Sequence, residues 1–107
     1  MEWSFTFASA AVKAELDALP ADMRAHFERI VGLVRTVGLE RVHEPYIKHI
    51  EDRLWEIRLR GRSGIARALY ITAVGRRVVI LRVFMKKTQA TPRREIELAR
   101  QRAKEVT

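Results

Sequence analysis

Residues 78–98 read VVILRVFMKKTQATPRREIEL, and how this stretch divides decides the fold. Val78 to Phe84 is almost continuously apolar, as a strand covered on both faces is, and only Arg82 interrupts it. Lys86 and Lys87 then close the run with two cations. Thr91-Pro92-Arg93-Arg94-Glu95 carries the marks of a helix start: a threonine for the N-cap, a proline at the first position and an acid nearby. Ile96, Ala99 and Ala103 follow at helical spacing. The stretch predicts a central strand, a basic elbow and a terminal helix.

Upstream, two further runs alternate. In Leu54 to Arg60, Trp55, Ile57 and Leu59 share one parity and are expected in the core, while Leu54, Glu56, Arg58 and Arg60 share the other. In Ile65 to Ala73, Arg67, Leu69 and Ile71 fall together. The glycine turns at Gly61–Gly64 and Gly75-Arg76 are short, so the three strands predict an antiparallel meander. Glu2 to Phe7 alternates as a short first strand. Ser9 is the expected N-cap of a helix over residues 10–18. Pro20 opens a second helix, with Phe27, Ile30, Val31 and Val34 as its stripe and Gly38 as its end. Residues 39–53 receive no element, because Pro45 disfavours a helix across them. The expected class is α+β, with a small antiparallel sheet in the order β-α-α-β-β-β-α and one domain over residues 1–107.

The net charge of +8 is unevenly spread. Residues 1–52 hold six basic and nine acidic side chains, net −3; residues 53–107 hold fifteen and four, net +11. That asymmetry points to a polyanionic partner, a nucleic acid or an acidic protein. There is no cysteine, which excludes disulfides, thiol catalysis and Cys-based zinc sites. His26, His43 and His49 do not make a metal-binding spacing. No apolar run reaches the roughly 20 residues of a membrane span, and no signal-peptide pattern opens the chain, so a cytoplasmic protein is expected.

The remaining chemistry is cationic. Arg58 and Arg60 lie on one predicted strand, Arg67 on its hairpin partner, and Lys86 and Lys87 at the exit of the third. Such a cluster neutralises phosphates and stabilises the extra charge of a pentavalent phosphate transition state. A lysine among other cations has a lowered pKa and serves as a base for cleavage of RNA by its own 2′-hydroxyl.

These residues carry a resemblance. Leu54-Trp55-Glu56-Ile57-Arg58, Arg67-Ala68-Leu69-Tyr70, Phe84-Met85-Lys86-Lys87-Thr88 and Thr91-Pro92 through Ala99 occur in the order and spacing of the RelE/HigB-like toxins, in particular their phage-derived branch. Lys48-His49-Ile50 fits the pattern loosely. The resemblance implies a small α+β domain with a strongly twisted antiparallel sheet. It implies the toxin of a type II toxin–antitoxin system: a ribosome-dependent endoribonuclease that cuts mRNA in the A site without metal or other cofactor. Its partners would be mRNA, the ribosome and a cognate antitoxin, a helix-turn-helix protein from the same operon. Carried onto this chain, the family's cationic positions are Arg58, Arg67, Lys86 and Lys87; the expected catalytic set is Arg58, Arg67 and Lys87, and the expected RNA-binding set is Lys86 with Lys48 and Arg60, which the chain's own pattern adds. Arg93 to Leu98 lacks the tyrosine that RelE members place in the last helix, and the HigB histidines and acids near the C-terminus are absent too; Tyr70, Tyr46 and His49 are the candidate substitutes. ParE relatives share the fold and inhibit gyrase without cutting RNA, so a non-catalytic binding protein stays the alternative.

Overall fold

The computed structural model describes residues 2–87 and 90–106. Thr88, the end of the Phe84–Thr88 motif, lies outside them. Strand β1 (Ser4–Phe7) leads into helices α1 (Ala10–Asp17) and α2 (Ala21–Val37). After a 3-10 turn at Leu39–Arg41 come β2 (Ile47–Glu51), β3 (Leu54–Gly61), β4 (Gly64–Ala73) and β5 (Arg77–Lys86), then α3 (Arg93–Ala103). The sheet order is β1-β5-β4-β3-β2.

The α+β class and the meander stand, and two details differ from expectation. An extra strand, β2, pairs antiparallel with β3. Its period is broken by a register shift between His49 and Glu51, which removes the alternation that marks a strand in sequence. Secondly, β1 pairs with β5 in parallel, so the sheet is mixed. That pairing spans the whole helical hairpin, and no turn chemistry encodes a contact between segments so far apart.

Two apolar layers cover the sheet. On one face, Ile57, Leu59, Ala68, Tyr70, Val78 and Ile80 pack under α1 and α2 through Val12, Leu16, Phe27, Ile30 and Val34. On the other, Leu54, Leu69, Ile71, Val79, Leu81 and Phe84 meet α3 through Ile96 and Ala99. Trp55, expected in the core, is 38% exposed. The helix α3 brings only two fully buried apolar side chains to its seat, and at 11 residues it is too short to be stable alone. Arginine–carboxylate contacts supply the rest. Arg82 of β5 bonds Glu95 (Nε to Oε1, 2.7 Å) and meets Glu15 of α1 (2.9 Å). Arg102 bonds Glu15 (3.0 Å) and the Leu81 carbonyl (2.8 Å). Glu15 also accepts the N–H of Val83, at 3.1 Å. At the far end, Arg93 and Arg100 hold Glu51, and Arg100 reaches Asp52.

Neither expected hydroxyl cap forms. Ser9 makes no side-chain cap. Pro92, rather than Thr91, occupies the N-cap of α3, and the Thr91 hydroxyl is directed elsewhere.

Candidate functional site

Helix α3 covers only half of its face of the sheet. Among the described residues no helix covers the other half, where β3, β4 and β5 run towards the Gly61–Gly64 turn, and Ile65 there is 38% exposed. Strand alternation puts Glu56, Arg58 and Arg60 on this face, because Leu54 of the same parity lies under α3. Cross-strand pairs add the rest: Arg67 faces Arg58, Lys48 faces Glu56, and Ile65 faces both Arg60 and Lys86.

Lys86 arrives by way of a bulge. Val78 and Ile80 point to the α2 side, so simple alternation sends every even residue of β5 there, Lys86 included. The register shifts between Leu69 and Tyr70: Tyr70 pairs with Ile80 and Leu69 with Arg82, leaving Leu81 as the extra residue. Beyond it the parity reverses. Val83 packs on the α2 side, Phe84 joins the α3 side, and Lys86 follows Phe84 onto the open face.

At the centre sits Glu56, 2% exposed. Its Oε2 accepts from Arg58 Nε at 3.1 Å and lies 3.3 Å from Arg67 Nε. Its Oε1 accepts from the Thr91 hydroxyl at 2.7 Å. The Arg67 contact is ionic but poorly aligned, so among the described residues the buried Arg67 Nε–H has no hydrogen-bond partner. Arg67 is only 7% exposed. Burial pulls its guanidinium below the usual range, Arg58 and Arg60 add to that, and Glu56 opposes it. The Lys86 ammonium, 9% exposed, is also shifted down: by burial first and by Arg67, against Glu56, with smaller pushes from Arg58 and Lys48. The cluster therefore concentrates positive charge around one carboxylate, with a buried donor left over and an amine that loses its proton more readily than an exposed lysine.

The structure thus gathers Lys48, Arg58, Arg60, Arg67 and Lys86. Lys87 stands apart, exposed and one residue past the end of β5. Two residues of the cluster escaped the sequence reading. Glu56 had a signal, since it is the lone acid on a parity shared with Arg58 and Arg60. Thr91 had none, because its helix-cap pattern accounted for it. The candidate substitutes for a helix tyrosine fare differently. Tyr70 is buried on the α2 side, and that burial raises its phenol well above the usual value. His49 pairs with Trp55 and rests against its ring, centroids 4.8 Å apart, on the face opposite Glu56. Tyr46 sits at the start of β2, where its carbonyl accepts the Arg58 N–H at 2.7 Å and its ring meets His26.

Comparison with known proteins follows the same lines. The family model described as phage-derived protein Gp49-like matches residues 14–104. No curated protein matches the chain. Among solved structures, a mutant of the E. coli toxin RelE in the free state superposes with a TM-score of 0.63 and 16% identity, over 100% of both chains. The archaeal RelE–RelB complex from Pyrococcus horikoshii gives a TM-score of 0.58 at 19% identity, covering 84% of this chain and 100% of that one. Likeness at these identities speaks for the fold, which is that of RelE.

Proposed function

The chain belongs to the phage-derived Gp49-like family, and from that premise we propose that it is the toxin of a type II toxin–antitoxin pair, a ribosome-dependent endoribonuclease acting on mRNA. The observation that carries this reading is the cationic half-face with Arg67 at its heart, whose buried Nε–H is ion-paired to Glu56 but makes no aligned hydrogen bond among the described residues. An unsatisfied buried donor among cations has its complement in a phosphate oxygen.

In this reading Arg58 and Arg67 hold the scissile phosphate and offset the charge that builds on it in the transition state. A neutral Lys86 takes the proton of the 2′-hydroxyl. The 2′-oxygen attacks phosphorus, the bond to the 5′-oxygen breaks, and that oxygen leaves with a proton. Lys87, at the rim, belongs to the RNA strand and to the proton transfer at the leaving oxygen, while Lys48 and Arg60 hold the flanking backbone. The protein works in the cytoplasm. A helix-turn-helix antitoxin silences it by laying an acidic segment across the same face, which neutralises the cluster and excludes RNA together.

Purified protein added to translating ribosomes tests this, with message ends mapped by primer extension. The expected result is new ends within A-site codons, lost in Arg67→Ala and in Lys86→Arg. Intact message with the ribosome still bound would replace this reading with a non-catalytic member of the fold. The absence of any aromatic residue from α3 favours that second reading.

A further inference from the structure

We infer that Glu56 is a positioning residue of the cluster, held in place by Thr91, and that it is not the proton acceptor. The inference rests on the RNA-cleaving reading of the site. A buried carboxylate among phosphate-binding cations invites the role of general base. A base needs an oxygen that faces the substrate. Here Oε2 lies against Arg58 and Arg67, Oε1 accepts the Thr91 hydroxyl, and the residue is 2% exposed. Both oxygens are engaged within the cluster and the carboxylate is buried, so neither is presented to a substrate.

What the carboxylate does follows from the register. Arg58 and Arg67 are direct cross-strand partners, and like charges so placed repel. Glu56, two residues from Arg58 on the same face, stands between the heads and fixes both. Its own rotamer needs a fixed point, and Thr91 provides it. That hydroxyl is released for the task because Pro92 takes the N-cap of α3. Thr91 also lies immediately before α3, so the seating of the helix is transmitted through one hydrogen bond, at 2.7 Å, to the two arginines. The link ties the terminal helix to the site, although the helix lends it no catalytic side chain.

The test compares Thr91→Val, Thr91→Ser and Glu56→Gln with the parent protein. Single-turnover cleavage on ribosomes is followed against pH, and the Arg58 and Arg67 Nε–H resonances are followed by NMR without RNA. Thr91→Val keeps the shape of threonine and removes only the donor. It should cut about tenfold more slowly and shift both resonances. Thr91→Ser should restore both. Glu56→Gln should be slower still, with the rise of rate with pH intact, because the base lies elsewhere. Loss of that rise in Glu56→Gln would make Glu56 the base and overturn the inference. So would parental rate and resonances in Thr91→Val. If the parent cuts no RNA at all, the proposed function falls, and the resonances alone then decide the positioning role.

Discussion

Helix α3 is fastened to the sheet by two charge networks, and the open half of the same face carries a third. The fastening networks are balanced. Arg82 and Arg102 meet Glu15 and Glu95, two against two. Across the join Arg93 and Arg100 meet Glu51 and Asp52, two against two, and a further pair, Arg93 with Glu97, lies within α3. The third sets Lys48, Arg58, Arg67 and Lys86 around Glu56, the one acid of the cluster among the described residues. The response of the arginines matches. Hydrogen bonding to Glu95, above all, holds the Arg82 guanidinium above its ordinary value, whereas burial pulls that of Arg67 below. A network that serves packing neutralises itself. On the proposed function, one left in excess is there to receive an anion from outside.

The sharpest way to break this contrast is to cut an arginine from each side. Arg67→Ala removes a phosphate ligand from a cluster with charge to spare. It should lower cleavage by about 10²–10³-fold while the far-UV circular dichroism and thermal midpoint stay near the parent's. A midpoint that falls as far as the activity does would make Arg67 a packing residue and erase the distinction. The second probe is pH. Lys86 must be unprotonated to act as a base, so the rate should rise as pH increases through a value below the ordinary 10.5. In Lys86→Arg the charge remains but the rise should vanish, with binding of a non-cleavable 2′-deoxy substrate retained. A rise that survives the substitution would move the base elsewhere, with Lys87 first in line.

How much of this was legible depended on the range of the interactions. The strand β5, the two glycine turns and the helix beyond Pro92 are local patterns and lie where the sequence predicts them, although β5 runs on through Lys86 into the expected elbow and Pro92 is the N-cap. The parity of Arg58 and Arg60 was legible too, since β3 alternates without interruption over Leu54–Gly61. Lys86 was not placed by its own strand's alternation. That alternation puts it with Val78 and Ile80, and only the extra residue at Leu81, opposite the Leu69–Tyr70 step, turns it over. Strand β2 was lost to its own register shift, and with it the pairing of Lys48 with Glu56. Thr91 was read as a cap because the cap signature is local, whereas its contact with Glu56 spans 35 residues.

On the balanced side, Arg82→Ala should leave activity per folded molecule close to the parent's and lower stability by about 2 kcal/mol. The loss comes from Glu95, 7% exposed, which would be left buried without the two nitrogens at 2.7 and 3.3 Å that now satisfy it. Urea denaturation gives the number. A stability equal to the parent's would mean that the Arg82–Glu95 pair has no part in seating α3.

The smallest effect concerns Glu15, which ties α1, β5 and α3 together at one carboxylate. Burial pushes its pKa up, but hydrogen bonds from Arg102 and the Val83 N–H, with the charges of Arg82 and Arg102, outweigh that and hold it below the ordinary 4.5. A depressed carboxylate contributes stability that is present above its unfolded value and is lost as pH falls through the folded one. The parent should therefore lose more stability than Glu15→Gln on acidification below about pH 4.5. At neutral pH the variant should be about 1 kcal/mol less stable, and the two unfolding curves should converge as pH falls through the folded value. Other depressed carboxylates, Glu51 and Asp52 among them, titrate in both proteins and cancel in the difference. A gap that does not change with pH would mean that Glu15 acts by its shape. The charge balance would then stop distinguishing the helix clamps from the open cluster.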